Sequence, residues 1–402
     1  MRAFLRNYGL IVAAAVVAVG LIGGALFYAG GTVRDEAQVD APPVRGALSD
    51  YSWEELSLIS AEVARCPTRE EAYACAARYN LCKPDGTLDA SQKKKVQLSG
   101  GADSVEGLAG AADSASGGDS AGAADSAGAA DGASRSAATG NRAPRSVVQE
   151  GSAARGGEGS AAPGGEASVV VAGIWHDTRT DGGKAGLTFA FTEPVGEHAM
   201  NHAFEDADGD SADSTGGWAA SDMRAWLNGE LLNRLPLDLR SRIVSVQKQT
   251  ASSVGSGDEL EAAGKLSGTA ADWVSQTGDR LWLFSASELC GNVPARQSLG
   301  VDSTMASVYA AEGGQYRLFA ESDVQAFKPN EALAMQGAKG GPCTWWLRTK
   351  TLEFGDGFWL VGTDGTPLNG LGEDARATNP AFAPDELWGP DHARAVVAGF
   401  CL

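Results

Sequence analysis

The sequence predicts an α+β fold preceded by a membrane-spanning helix, and three observations predict it. Between Arg6 and Arg34 the chain carries no charge. Two helix-start signals follow, Ser52 with Glu55 and Thr68 with Glu71, each pairing an N-cap hydroxyl with a glutamate three residues on. From 168 to 402, short β-type runs alternate with a few helical stretches and many Gly/Asp turns.

The uncharged segment contains Leu10, Ile11, Val16, Leu21, Ile22 and Phe27. A helix rises about 1.5 Å per residue, so about 20 apolar residues cross a hydrocarbon layer of roughly 30 Å. Residues 9–30 therefore read as a transmembrane helix. Arg2 and Arg6 precede it, while Asp35, Glu36 and Asp40 follow with only Arg34 opposing. The positive-inside rule puts residues 1–8 in the cytoplasm and the remainder outside, as a single-pass protein of the cell membrane. A cleaved secretory signal is the alternative, but its apolar region usually runs about 7–15 residues, shorter than this one. Either way the chain beyond residue 32 is expected to be exported. A net charge of -19 excludes a nucleic-acid partner, which requires a basic face.

Residues 31–48, with Pro42-Pro43, read as a stalk. Residues 49–83 read as a helical hairpin: Leu56, Ile59 and Val63 share one helical face, Pro67 breaks the chain, and Tyr73, Ala76 and Tyr79 lie on the second helix. Pro84-Asp85-Gly86 is a turn. Residues 101–167 are rich in Gly, Ala, Ser and Asp, and Gly-Ala-Ala-Asp-Ser-Ala occurs at both 110–115 and 122–127. Such a stretch buries too little surface to offset a chain entropy of roughly 1–2 kcal/mol per residue, so disorder is expected. It is flanked by two β-type runs, Lys95–Leu98 and Ala167–Ile174. Closure entropy grows slowly with loop length, so the pair reads as one hairpin with an inflated turn. Residues 84–100 and 168–402 then form one mixed antiparallel-sheet domain. Within it Ser221–Leu232 reads as a helix and Leu281–Phe284, Thr344–Arg348 and Ala395–Leu402 as strands. Phe358–Val361 reads as the first arm of a hairpin turned at Thr363–Gly365.

Several of these landmarks fall in a familiar order: Gly217-Trp218, then Ser221–Asn228 with Arg224, Trp226 and Asn228, then Leu281–Leu289, Glu312–Tyr316, Trp345-Trp346-Leu347-Arg348 and Gly399–Leu402. They resemble the bacterial domain-of-unknown-function family 6273, seen on surface proteins of Gram-positive anaerobes, from about residue 50 to the end apart from the insert. The resemblance implies structural roles for Trp218, Arg224, Trp226, Asn228, Trp345, Trp346 and Arg348. That family in turn resembles the C-type lectin superfold shared with formylglycine-generating enzymes, which implies a lectin-like architecture and leaves function to the site.

Candidate chemistry is sparse. Cys66, Cys75 and Cys82 form one group and Cys290, Cys343 and Cys401 another. Export permits disulfides, six cysteines allow 15 pairings, and one bridge within each group is expected, Cys290–Cys343 in the second. No CxxC pair or histidine cluster offers a zinc site. Asp206, Asp208, Asp210 and Asp213 cluster carboxylates, but Ser211 and Gly217 occupy the places where a calcium loop needs Gly and Glu, so the stretch reads as a solvated loop. His198 and His202 lack the intervening glutamate of a zinc-protease helix. Neighbouring strand residues point to opposite faces, so only one of Trp345 and Trp346 can belong to a given core face; the other is covered by a loop or lines a pocket.

The expectation is a non-catalytic binding or interaction module outside the membrane, with no cofactor. Its partner is an unidentified surface ligand: a glycan, a peptide or an envelope component. The alternatives are a Cys-dependent oxidase-like enzyme, which the formylglycine-generating resemblance implies, and a purely structural envelope protein.

Overall fold

Two side chains set where the first helices begin. Ser52 Oγ accepts from the Glu55 amide while the Glu55 carboxylate accepts from the Ser52 amide, opening α1 (Trp53–Ala64). Thr68 Oγ1 accepts from the Glu71 amide and opens α2 (Arg69–Arg78). The computed structural model describes residues 41–100, 165–202, 216–252, 270–293, 303–338, 340–351, 357–369 and 390–402. The expected transmembrane helix at 9–30 lies outside the described residues, as do most of the stalk, the insert as far as 164 and the acidic loop 206–213. Among the described residues no helix is long and apolar enough to cross a membrane.

From Val44 onward the described residues form one unit, a mixture of helices and mainly antiparallel sheets. The two runs flanking the insert do pair: β1 (Lys94–Leu98) lies antiparallel to β2 (Gly165–Ile174), with Val96 opposite Ala167. The strand starts at Gly165, so residues 165–167 belong to β2 and not to the insert. The first sheet runs β1-β2-β3-β14-β7, with β3 at Leu187–Phe191, β14 at Ala398–Cys401 and β7 at Leu281–Leu283. The second runs β12-β11-β10-β13-β4, from Pro367–Leu368 through Phe358–Val361, Trp345–Lys350 and Arg394–Ala395 to Glu197–His198. In this sheet β10 and β13 run parallel, the exception to the antiparallel pattern expected. A two-stranded ribbon, β5 (Val246–Ala251) with β6 (Val274–Asp279), and a small pair, β8 (Met335–Gln336) with β9 (Pro342–Cys343), complete the strands described.

Two sequence assignments are corrected. The run Ala395–Leu402 is not one strand. It is split at Val396-Val397, whose first half sits in the second sheet and whose last four strand residues sit in the first, so the closing segment stitches the sheets together. The helix expected at Ser221–Leu232 is α4 (Asp222–Trp226), a wide π-type turn at Leu227–Leu231, and a short α5 (Leu232–Arg234), with α6 (Leu237–Arg240) after it. A four-residue helix, α3 (Gly217–Ala220), precedes it. The wide turn has a cause. Asn228 Nδ2 donates to the Arg224 carbonyl and to the Leu281 carbonyl at 2.9 Å, while its Oδ1 accepts from the amides of Arg280 and Leu281.

The hairpin helices are part of the core. Trp53 meets Phe189 and Phe400 edge-on at 5.9 and 6.2 Å between ring centres, and Leu56, Ile59 and Val63 are fully buried. Ser60 fixes the contact, its hydroxyl donating to the Leu402 carbonyl and accepting from the Leu187 amide. Gly186 makes the close approach possible, because a Cβ there would run into the Ser60 carbonyl. Backbone cannot swing aside as a side chain can. Gly186→Ala is therefore expected to cost about 3 kcal/mol, the upper end of overpacking, read as a lower urea midpoint. An unchanged midpoint would show that α1 is not seated on the sheet at Ser60.

Candidate functional site

Where the two sheets meet, the interior is not apolar. β5 alternates inward and outward, and Val246, Lys248 and Thr250 fall in the inward phase. A lysine is thus carried into the core. Its ammonium gives one hydrogen bond each to Asp177 at 2.5 Å, Glu288 at 3.0 Å and the Tyr316 hydroxyl at 2.7 Å, and it lies 3.9 Å from the centre of the Trp282 ring. These use all three of its donors.

Arg348, on β10, is equally enclosed, at 0% exposure. Its Nε donates to Thr250 Oγ1, its Nη1 to the Leu283 carbonyl and to Glu288, and its Nη2 to the carbonyls of Gln249 and Glu312. All five N–H groups of the guanidinium are met. Glu288 is held in turn by a capping box with Ser285 at the start of α7 (Ala286–Cys290). Burial by itself would raise the carboxyls of Glu288 and Asp177. The charges of Arg348 and Lys248 overcome this at Glu288, and those of Lys248 and His176 at Asp177, so both sit below their ordinary range.

Asp177 reaches this cluster through a strained bend. After β2 the chain passes through Trp175 at φ 55, a left-handed conformation that costs a bulky residue on the order of 1–3 kcal/mol. The bend turns the Asp177 carboxylate inward, where Thr188 donates to it at 2.6 Å, Tyr316 at 2.8 Å and the Cys401 thiol at 3.4 Å. The neighbouring His176 stacks on Tyr316 at 4.1 Å. Gly173 leaves room for that ring: a Cβ would come within 2.9 Å of Tyr316 Cδ1.

The residues singled out from sequence fall into two groups. Trp218 and Arg224 both bind Asp279, at 2.9 and 2.6 Å, and with Asn228 they clamp the 217–234 helical segment onto the β6–β7 turn. Trp226 lies apart, half-buried and stacked on His198 at 4.9 Å. Trp345 donates its indole N–H to the Leu333 carbonyl at 3.0 Å, while Trp346 lies under the Arg394 guanidinium at 5.2 Å. Both faces of β10 are thus covered. All six cysteines are free thiols, so the Cys290–Cys343 bridge is not formed in this structure. Burial pushes five of these thiols up, to about 11 for Cys75, Cys82 and Cys343, to about 12 for Cys290, and well above the ordinary value for Cys401. Thiols in that state supply little thiolate at neutral pH. Among the described residues no group of three or more His, Cys, Asp or Glu is arranged to hold a metal ion.

Open space lies beside the network. A cleft of about 300 Å³ is walled by Phe191 from the first sheet, Trp345 from the second, Leu318 and Phe319 from α9 (Arg317–Glu321), and by Met335 and Val397. Its mouth carries Lys93, Ala332 and Ala334. A neighbouring cleft of about 350 Å³ is lined by Glu166, Glu193, Glu197 and Arg234. A third hollow, about 440 Å³, lies against Tyr73, whose ring is covered by Arg69 and Arg317.

Residues 198–383 match the family model described as a domain of unknown function, DUF6273. This is a narrower stretch than the motifs implied. No curated protein and no solved structure matches the chain. The DUF6273 match takes in Lys248, Glu288, Glu312, Tyr316 and Arg348 but leaves out Asp177, Thr188 and Cys401, so the buried cluster closes across its boundary.

From sequence, Arg348 has a structural role by resemblance. Glu288, Glu312, Tyr316 and Cys401 lie in landmark motifs with no role in a cluster, and Lys248, Asp177 and Thr188 are not singled out. Lys248 in phase with Val246 and Thr250 was the available signal, as was the Ser285–Glu288 capping box. Removing one partner of such a cluster leaves buried charge unmet. Lys248→Met is expected to cost about 3–5 kcal/mol, checked by urea unfolding. Asp177 and Glu288, depressed in the folded state, contribute stability above roughly pH 4 that is lost as pH falls through their folded values. Acid melts of the parent should therefore drop below pH 4, and those of Lys248→Met should drop less.

Proposed function

We propose that this chain is a single-pass membrane protein whose outward-facing domain, C-type-lectin-like in architecture, is a non-catalytic binding module with the apolar cleft as its ligand site. The cleft is the observation that carries the reading. Ligand sites are typically concave, mostly apolar and upwards of roughly 300 Å³, with a few polar groups at the edge. This cleft has that size, an aromatic lining, and Lys93, Thr192 and Ser322 as its polar groups. The volume fits a single ring or a short branched chain, so the ligand is taken to be a glycan, peptide or envelope component offering one such group.

Support for the anchor comes from the uncharged stretch between Arg6 and Arg34. The alternative of a Cys-dependent oxidase draws no support from Cys75, Cys82, Cys290 and Cys401, which are buried with their thiols pushed up by burial. Protease shaving of intact cells, combined with the mass of the membrane-bound chain, tests the topology. Fragments released from beyond residue 48, with residues 1–30 retained, are expected.

The cleft has a direct test. Ala334 is exposed at its mouth, so Ala334→Trp should close the entrance with a stability change within about 0.5 kcal/mol. Binding of an apolar fluorescent dye, and of any hit from an array of glycans, peptidoglycan fragments and hydrophobic peptides, should weaken about tenfold, or about 1.4 kcal/mol. Equal binding by both proteins would move the site elsewhere, and a blank array would favour the purely structural envelope protein.

A further inference from the structure

We infer that the apolar cleft takes a free apolar amino acid, enclosing its hydrocarbon side chain and meeting its carboxylate and ammonium at the mouth with Lys93 and Glu193. This names the ligand class of the same cleft and rests on the binding reading above.

The lining decides what can be enclosed. Of its side chains that can donate a hydrogen bond, all but Lys93 have given theirs to the protein. Trp345 donates to the Leu333 carbonyl at 3.0 Å, Ser322 to the Leu318 carbonyl at 3.0 Å and Thr192 to the Ser168 carbonyl at 3.4 Å. Backbone amides of the turn at the mouth are spent as well. Leu333 gives its N–H to the Asn330 carbonyl, Ala334 to the Glu331 carbonyl and Ala332 to Asn330 Oδ1. The remaining lining side chains are hydrocarbon or thioether. A saccharide ring, or a peptide backbone, seated among them would leave its own polar groups unmet, and unmet groups cost affinity. The enclosed part of the ligand is therefore hydrocarbon, of the size of one ring or a short branched chain.

The mouth decides what can stay outside. Lys93 gives no hydrogen bond to a described residue, and its ion-pair partner Glu193 stands 3.9 Å away, beyond hydrogen-bond reach. Glu193 follows Thr192, which lines this cleft, and itself lines the neighbouring one. Its Oε2 accepts from the Ser168 amide at 2.7 Å, which holds the carboxylate in place and leaves Oε1 open. Both side chains are half-exposed, at 47% and 45%. A cation and an anion with unspent capacity are thus set about one ion-pair distance apart beside an apolar cavity. An amino acid carries the complementary pair on a single carbon. Its carboxylate beside Lys93 and its ammonium beside Glu193 make four charges that alternate in sign. A plain carboxylate would meet Lys93 but be opposed by Glu193, and a plain amine the reverse. The zwitterion is also neutral, so the net charge of -19 does not repel it.

Equilibrium dialysis of labelled phenylalanine and leucine against the full chain in phosphatidylcholine nanodiscs, with empty nanodiscs as reference, tests this. Phenylpropionate lacks the ammonium and phenethylamine lacks the carboxylate. Each should compete about fivefold more weakly than phenylalanine, the upper range for one half-exposed ion pair. Serine and N-acetylglucosamine should not compete. Lys93→Gln, an exposed change the fold should tolerate, is expected to weaken phenylalanine about fivefold without weakening phenethylamine. Glu193→Gln should weaken phenylalanine similarly without weakening phenylpropionate. Equal competition by all three ring compounds, equal losses for them in Lys93→Gln, or displacement by N-acetylglucosamine would each overturn the inference. A chain that binds the apolar dye of the preceding test but neither amino acid overturns this inference alone. A chain that binds none of them overturns the binding reading with it.

Discussion

A guanidinium at 0% exposure must have every N–H satisfied, and meeting that demand at Arg348 organises the molecule. The side chain starts on the second sheet. Its acceptors lie on the first sheet at Leu283, on the ribbon at Gln249 and Thr250, on α7 at Glu288 and just after α8 (Ser303–Ala311) at Glu312. Five separate pieces of chain are thereby required to converge at one point. Replacing the arginine with lysine would supply three donors where five are used. A buried ion cluster of this kind is a poor source of net stability, because desolvation offsets most of the attraction. Its effect here is selective: a register slip of β10 would leave carboxylates and carbonyls unmet in a dry interior.

The sheets themselves are joined by different means. The closing strand crosses from one to the other at Val396-Val397, and Val396 exchanges backbone hydrogen bonds with Val195 and Gly196 on the way. On the first sheet Phe189, Phe191 and Phe400 pack against one another and receive Trp53 from α1. Apolar packing thus secures the first sheet and the hairpin, while the ion cluster secures the junction. The Trp175 bend belongs to the second task, since its strain is tolerated where it delivers Asp177 to Lys248.

Local features of this fold could be read from the residues. Capping boxes at Ser52 and Ser285 depend on side chains three positions apart, and the β1–β2 pairing depends on apolar runs that survive a long interruption. What escaped reading is non-local. Ala395–Leu402 has the composition of one strand, and nothing within it says that its two halves join different sheets. The break at Leu227–Leu231 is imposed by Asn228 reaching Leu281, more than fifty positions away. The burial of Lys248, Glu312 and Asp177 has no local signature, because a charge is buried only when its partners arrive from elsewhere in the chain. Arg348 was singled out through a family resemblance, which reports a position without its reason.

The cleft inherits its shape from the same junction. Phe191 belongs to the first sheet, Trp345 to the second and Phe319 to α9, so three elements must be correctly placed before the pocket exists. Two of those walls are fixed by strands that the closing segment and Arg348 hold together. A rigid pair of walls lowers the ordering cost that a ligand would otherwise meet on binding. The third wall, α9, is tied in by Tyr316 bonding to Asp177 and Glu288, by Phe319 packed against Phe284, and by Glu321 accepting from the Leu88 amide.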